Sequence, residues 1–226
     1  MLIKRIENIG FKCIYKDPVI ASSVSNWVEQ SIAFEFCDHS VKRFSLPAEI
    51  ELSSFNMQFG IQFSSKNNCF FLQSWEKGVY CFDLDDGCLL WLHKRKRACD
   101  IALIKENLFV YFLGFGIVRI DISTGESIER FSYTSEGFFG IADDAFFIGP
   151  KNAKYLLVDT GFKIIKWFPI SDVNPNGCEY FVLQKVGKEN DQIVLEGIEC
   201  DSVDDFIVDA SDSANSPYAF RRHLFI

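Results

Sequence analysis

A three-part pattern repeats three times between Asn68 and Phe168, and it narrows the possible folds more than any other feature of the chain. Asn68-Cys69-Phe70-Phe71-Leu72 recurs as Asn107-Leu108-Phe109-Val110-Tyr111 and as Asp144-Ala145-Phe146-Phe147-Ile148. Each copy leads to a second apolar run that ends in a turn: residues 79–83 to Gly87, 117–121 to Gly125, and 155–159 to Gly161. A third run follows each turn, at residues 89–92, 127–131 and 163–168. The first runs start 39 and 37 residues apart. Short runs rich in Phe, Val and Ile between glycine-bearing turns read as strands. A period near 40 residues marks a repeat architecture of small sheets.

The flanks continue the pattern less regularly. Residues 11–15 alternate like a strand, Asp17-Pro18 marks a turn, and residues 19–21 fit a further strand. Residues 31–36 and 41–46 read as a pair of strands, with Cys37-Asp38-His39-Ser40 at the turn. Ile50-Glu51-Leu52 and residues 57–63 alternate at period two, with one face buried and one wet. Residues 100–104 and 138–142 begin the next two copies. Residues 180–183, 193–197 and 206–209 supply three strands of a last copy, and the apolar end, 218–226, is fit to dock.

Repeats that bury their faces only against neighbours must close into a ring or cap their ends. Five copies of roughly 40 residues fill the 226-residue chain. The expected fold is all-β: a single β-propeller domain over residues 1–226 with five four-stranded blades, approximately 1–47, 48–96, 97–133, 134–172 and 173–226. A terminal strand completing a sheet begun at the other terminus closes the ring. A sandwich or open solenoid of the same hairpins is the alternative, and the irregular outer copies leave four or six blades open. In the turns Asp85-Asp86-Gly87 and Ser123-Thr124-Gly125, glycine supplies the positive φ of a tight hairpin.

The turn regions resemble the repeats of quinoprotein-type propellers, whose blades carry aromatic-x-L-D-x-x-T-G-x-x-x-W. The stretch from Tyr80 to Trp91 keeps the Asp at Asp83, the Gly at Gly87 and the Trp at Trp91. Asp121 and Gly125 keep the spacing, with Glu129 in the Trp place. Asp159-Thr160-Gly161 is shorter by two, yet Trp167 again falls eight residues after its Asp. The resemblance covers residues 68–168 and implies the propeller fold. Scaffolding proteins share this repeat with enzymes, so it implies no cofactor site here. It assigns these Asp, Gly and Trp residues structural roles in turn formation and packing between blades.

Composition bounds the function. The N-terminus lacks a signal-peptide core, and no run approaches the ~20 apolar residues of a spanning helix. The eight cysteines form no C-x-x-C pair, so free thiols in a reducing cytoplasm are expected. The net charge of −8 disfavours nucleic acid and favours a basic partner.

Four constellations carry possible chemistry. Asp83 to Gly87 resembles a calcium loop, but the twelfth position from Asp83 is Lys94, so a hairpin turn is expected and no metal. Cys37-Asp38-His39 brings thiol, carboxylate and imidazole together, in a chain with two further histidines, His93 and His223; a turn with a buried thiol is the plainer account. His93-Lys94-Arg95-Lys96-Arg97 is the densest basic run and falls in a loop between blades, fit to meet phosphates or an acidic partner, or to serve as a solvated loop that keeps a sheet edge from aggregating. Glu196, Glu199, Asp201, Asp204, Asp205, Asp209 and Asp212 form an acidic tract, the strongest candidate for a charged partner-binding face.

The expected function is a non-enzymatic protein-binding module without cofactor, in one version an acidic immunity-type inhibitor that neutralises a basic toxin or enzyme. The alternative is a small propeller enzyme acting on a glycan or small molecule at the central channel.

Overall fold

The computed structural model describes residues 31–35, 41–45, 61–64, 66–133, 138–201 and 218–226. The strands expected at 11–15, 19–21, 50–52 and 206–209 lie outside these, as does Cys37-Asp38-His39. The chain divides into two compact units, one of Met1–Val110 with Ile120–Ser127 and one of Tyr111–Arg119 with Ile128–Ile226.

The expected hairpin near the N-terminus is present: β1 (Ser31–Glu35) pairs antiparallel with β2 (Val41–Ser45). Three four-stranded sheets then follow one another. The first orders β3 (Ile61–Ser64), β4 (Cys69–Ser74), β5 (Gly78–Asp83) and β6 (Leu89–Lys94). The second orders β7 (Ala98–Ile104), β8 (Asn107–Phe112), β9 (Gly116–Ile120) and β10 (Ser127–Phe131). The third orders β11 (Phe138–Ala142), β12 (Ala145–Lys151), β13 (Lys154–Asp159) and β14 (Ile164–Pro169). In each, sequence neighbours are spatial neighbours.

A four-residue helix, α1 (Ile170–Val173), leads to the last sheet. There β15 (Tyr180–Glu189), β16 (Gln192–Cys200) and β17 (Ala219–Phe225) lie in that order. The apolar C-terminus does dock as a strand: β17 runs along β16 from Gln192↔Phe225 to Ile198↔Ala219.

The apolar runs read from sequence are the middle strands. Every residue of β4 is buried, as are the first five of β5, because both faces are covered. Such strands read as unbroken apolar runs rather than alternating ones. In the N-terminal unit Phe70 stacks on Phe82, centroids 5.1 Å apart, and meets Phe63 at 6.2 Å. Cys69 and Cys81 are buried among these rings as free thiols. They hydrogen-bond each other, and that bond together with burial pushes the Cys81 thiol up. In the C-terminal unit Phe147, Tyr155, Leu157 and Phe168 join Val173, Leu183, Ile193, Leu195 and Leu224 in one core. Burial there pushes the Tyr155 hydroxyl up to about 12.

Candidate functional site

The repeated aspartates cap the turns. Asp83 Oδ1 accepts hydrogen bonds from the backbone N–H groups of Asp85 (2.7 Å) and Asp86 (3.2 Å). Asp121 Oδ1 does the same for Ser123 (2.8 Å) and Thr124 (3.1 Å), and Asp159 Oδ1 for Gly161 (2.9 Å) and Lys163 (2.8 Å). A short acidic side chain that bonds the backbone two residues on is an Asx turn. The Asp83 carboxylate thus caps the hairpin turn expected there. Among the described residues no three of His, Cys, Asp and Glu gather to hold a metal ion.

Gly87 and Gly125 take the left-handed backbone expected of them, at φ 74° and 75°. Gly125 has a second reason to be glycine. A Cβ there would stand 2.7 Å from Cδ2 and Cε3 of Trp91, whose ring lies on the turn. Trp91 Nε1–H donates to the Ile122 carbonyl at 2.7 Å, and His93 Nδ1 lies 2.9 Å from the Gly125 carbonyl. A carbonyl only accepts, so His93 carries its proton on Nδ1. Trp91 therefore joins one repeat to the turn of the next.

Trp167 does not occupy the equivalent place. Trp91 stands opposite Cys81, two residues before Asp83. Opposite Leu157, two before Asp159, stands Lys166, and Trp167 is one position further on. The cause is the turn. The Asp83 N–H reaches the Cys88 carbonyl, five residues on, as the Asp121 N–H reaches Glu126, whereas the Asp159 N–H reaches Lys163, four on. A one-residue slip moves a side chain to the other face of a strand, and Trp167 is left 46% exposed. Here Phe162 rather than Gly161 takes positive φ, at 61°. Its ring meets Phe131 at 5.9 Å. In the intervening repeat Glu129 fills the Trp place and pairs with Arg119 at 3.1 Å.

The acidic tract is only partly free. Glu196 sits between Lys185 (3.4 Å) and Arg221 (3.3 Å). Glu199 receives Arg222 Nη2 at 3.1 and 2.9 Å and Asn176 Nδ2 at 3.0 Å. Arg222 also donates to the Val173 carbonyl. Asp201 is exposed at the end of β16. Asp204, Asp205, Asp209 and Asp212 lie outside the described residues. Register accounts for the first of these pairings, since β17 brings Arg221 opposite Glu196, whereas Arg222 stands opposite Leu195 and reaches Glu199 along the sheet.

Asp100 is the site that the tract-based reading passed over. It interrupts the apolar run of β7, and its carboxylate accepts from the adjacent Ile101 N–H, at 2.7 Å. Burial pushes its carboxyl up to about 7. On the neighbouring β4, Gln73 Nε2 donates to the carbonyls of Ala98 (3.2 Å) and Cys99 (2.6 Å).

No known protein family matches the chain by sequence, and no curated protein matches it. Its structure is similar to the β-propeller domain of Myceliophteria thermophila Cps50 (Swd1), with a TM-score of 0.50 and 8% identity over 75% of this chain and 61% of that one. The fold is of the β-propeller type. The computationally designed Ika8 protein aligns at TM-score 0.49 and 10% identity, over 89% of this chain and 57% of that one. BamB from Moraxella catarrhalis aligns at 0.47 and 8%, over 75% and 54%. Among the described residues no helix is long and apolar enough to cross a membrane.

Proposed function

We propose that this chain is a non-enzymatic protein-binding module. The observation that carries the reading is the outward display on the last strand of each four-stranded sheet. Leu89 and Leu90 on β6, Ile128 on β10, and Ile164, Ile165 and Trp167 on β14 are all exposed, while the strands beneath them are buried. Rigid sheets that present large apolar side chains suit recognition. The five-bladed closed ring, the quinoprotein-type kinship of the repeats and a cytoplasmic location belong to the same proposal.

In its sharper form the module neutralises a basic toxin or enzyme through the acidic tract. Glu196 and Glu199 already answer to Lys185, Arg221 and Arg222, so Asp201 and the acids after it carry the attraction. The test is affinity capture at low and high salt with the native chain and an Asp201→Lys/Asp204→Lys/Asp205→Lys variant. One stoichiometric basic partner, released by salt and lost in the variant, is expected. Capture unchanged by the variant removes this face from the proposal.

Asp100 favours a second reading, a ligand or catalytic site on the first strands of the sheets. A carboxyl poised near neutrality suits proton transfer. The raised folded pKa means that ionisation costs stability as pH rises from about 4 through 7. Asp100→Asn should therefore be more stable than the parent above pH 7, with the gain fading toward pH 4. Urea unfolding at both pH values measures this. A glycan and metabolite panel scored by thermal shift then tests the site. A ligand whose shift disappears in Asp100→Asn supports the enzyme reading.

A further inference from the structure

The β4–β5 turn and the β6–β7 connection are held together as one surface. Arg95 N–H donates to the Lys77 carbonyl at 3.2 Å, and Arg97 N–H to the Trp75 carbonyl at 2.6 Å. Gly78 makes the approach possible: a Cβ there would lie 2.0 Å from the His93 carbonyl oxygen and 2.8 Å from the Arg95 nitrogen. On this surface Lys77, Lys94, Arg95, Lys96 and Arg97 are all exposed. Trp75 stands among them, 39% exposed. Glu76 is the one carboxylate in these two loops, and it pairs with Lys96 at 3.2 Å, both side chains largely in water.

The same sheet keeps its acids at the other end. Asp83, Asp85 and Asp86 occupy the β5–β6 turn. The six residues of β5 separate the two ends by about 17–20 Å. Salt screens exposed charges beyond about 8–10 Å. The basic end therefore keeps its own field although the chain carries a net charge of −8.

We propose that this surface binds an acidic protein segment, its carboxylates on Lys94, Lys96 and Arg97 and an apolar side chain on Trp75. The backbone staple fixes in advance the loops that carry the cations, which lowers the ordering cost of binding. The Glu76–Lys96 pair is loose enough to exchange for an incoming carboxylate. A long polyanion would extend from this small patch toward an otherwise acidic chain, so a short acidic peptide fits better than nucleic acid. The surface is separate from the acidic tract, and variants here leave capture of a basic partner untouched, so the two proposals fail independently.

The test is a fluorescence-anisotropy titration of the full chain with three labelled probes. These are an octapeptide of Asp, Glu and two Leu, its Asn/Gln counterpart, and dodecathymidylate. The acidic octapeptide should bind, and its Kd should rise about tenfold or more in Lys94→Glu/Lys96→Glu and severalfold in Trp75→Ala. Glu76→Gln should tighten binding about threefold by releasing Lys96. Circular dichroism confirms that each variant is folded. The proposal is overturned by no binding, by equal affinity for the neutral peptide, or by indifference to the Lys94/Lys96 reversal. Tighter binding of dodecathymidylate also overturns it and assigns the surface to single-stranded nucleic acid.

Discussion

Trp91 and Trp167 stand at the same spacing from their turn aspartates and do different things. Trp91 lies on the Gly125 turn and bonds the Ile122 carbonyl. Trp167 faces the other way and is nearly half exposed. The two turns are both capped by an aspartate, but the second closes one residue sooner. Spacing counted along the chain thus fails to predict spacing counted across the sheet. What fixes the tryptophan is the residue opposite it, Cys81 for Trp91 and Leu156 for Trp167.

The largest effects should come from the glycines of the two turns. Gly125→Ala forces a methyl group to within 2.7 Å of the Trp91 ring at a φ of 75°. A cost of about 2–4 kcal/mol is expected in urea unfolding. At Gly161 a Cβ meets only Asp159 Oδ1, at 3.4 Å, and no left-handed backbone is required. Gly161→Ala should stay within about 0.5 kcal/mol of the parent. Equal losses at both would show that the turns are equivalent after all. Next comes the tryptophan pair. Trp91→Ala should cost about 2–3 kcal/mol, and Trp167→Ala less than about 1 kcal/mol. A costly Trp167→Ala would mean that its ring is covered in solution.

The same slip explains what could be read from the sequence. The strands and turns were legible because Cys69–Ser74 and Gly78–Asp83 are covered on both faces and so spell unbroken apolar runs. The all-β class and propeller-type repeats followed from that. Trp167 was misplaced because a turn shortened by one residue leaves the Asp-to-Trp count intact while reversing the face. Glu196 and Glu199 read as free charges because their partners, Arg221 and Arg222, arrive from a strand more than twenty residues later. Asp100 passed as one polar residue in a strand, since only burial raises its carboxyl, and burial is set by the surrounding fold.

Phe162 sharpens the comparison with a smaller effect. A non-glycine residue at φ 61° costs about 1–2 kcal/mol, and its ring contact with Phe131 returns about 0.5–1.5 kcal/mol. Phe162→Gly removes both, so its net change should be close to zero. Phe162→Ala loses the ring and keeps the strain, and should be the less stable of the two. The reverse order would mean that the Phe162 backbone is not strained.

The smallest effect belongs to the Asp121 cap. Its side-chain bond from Ser123, then the backbone bonds from Ser123 and Thr124, hold its carboxyl below the usual carboxylate range. A depressed folded pKa contributes stability that is full above the unfolded value, near 4, and is lost as pH falls through the folded one. Asp121→Ala should therefore flatten the fall in stability below about pH 4, while both proteins run parallel above pH 5. The group is fully exposed, so the difference is small and should shrink further in high salt. A wild-type profile superimposable on that of Asp121→Ala would mean that the Ser123 and Thr124 bonds do not distinguish the ionised cap.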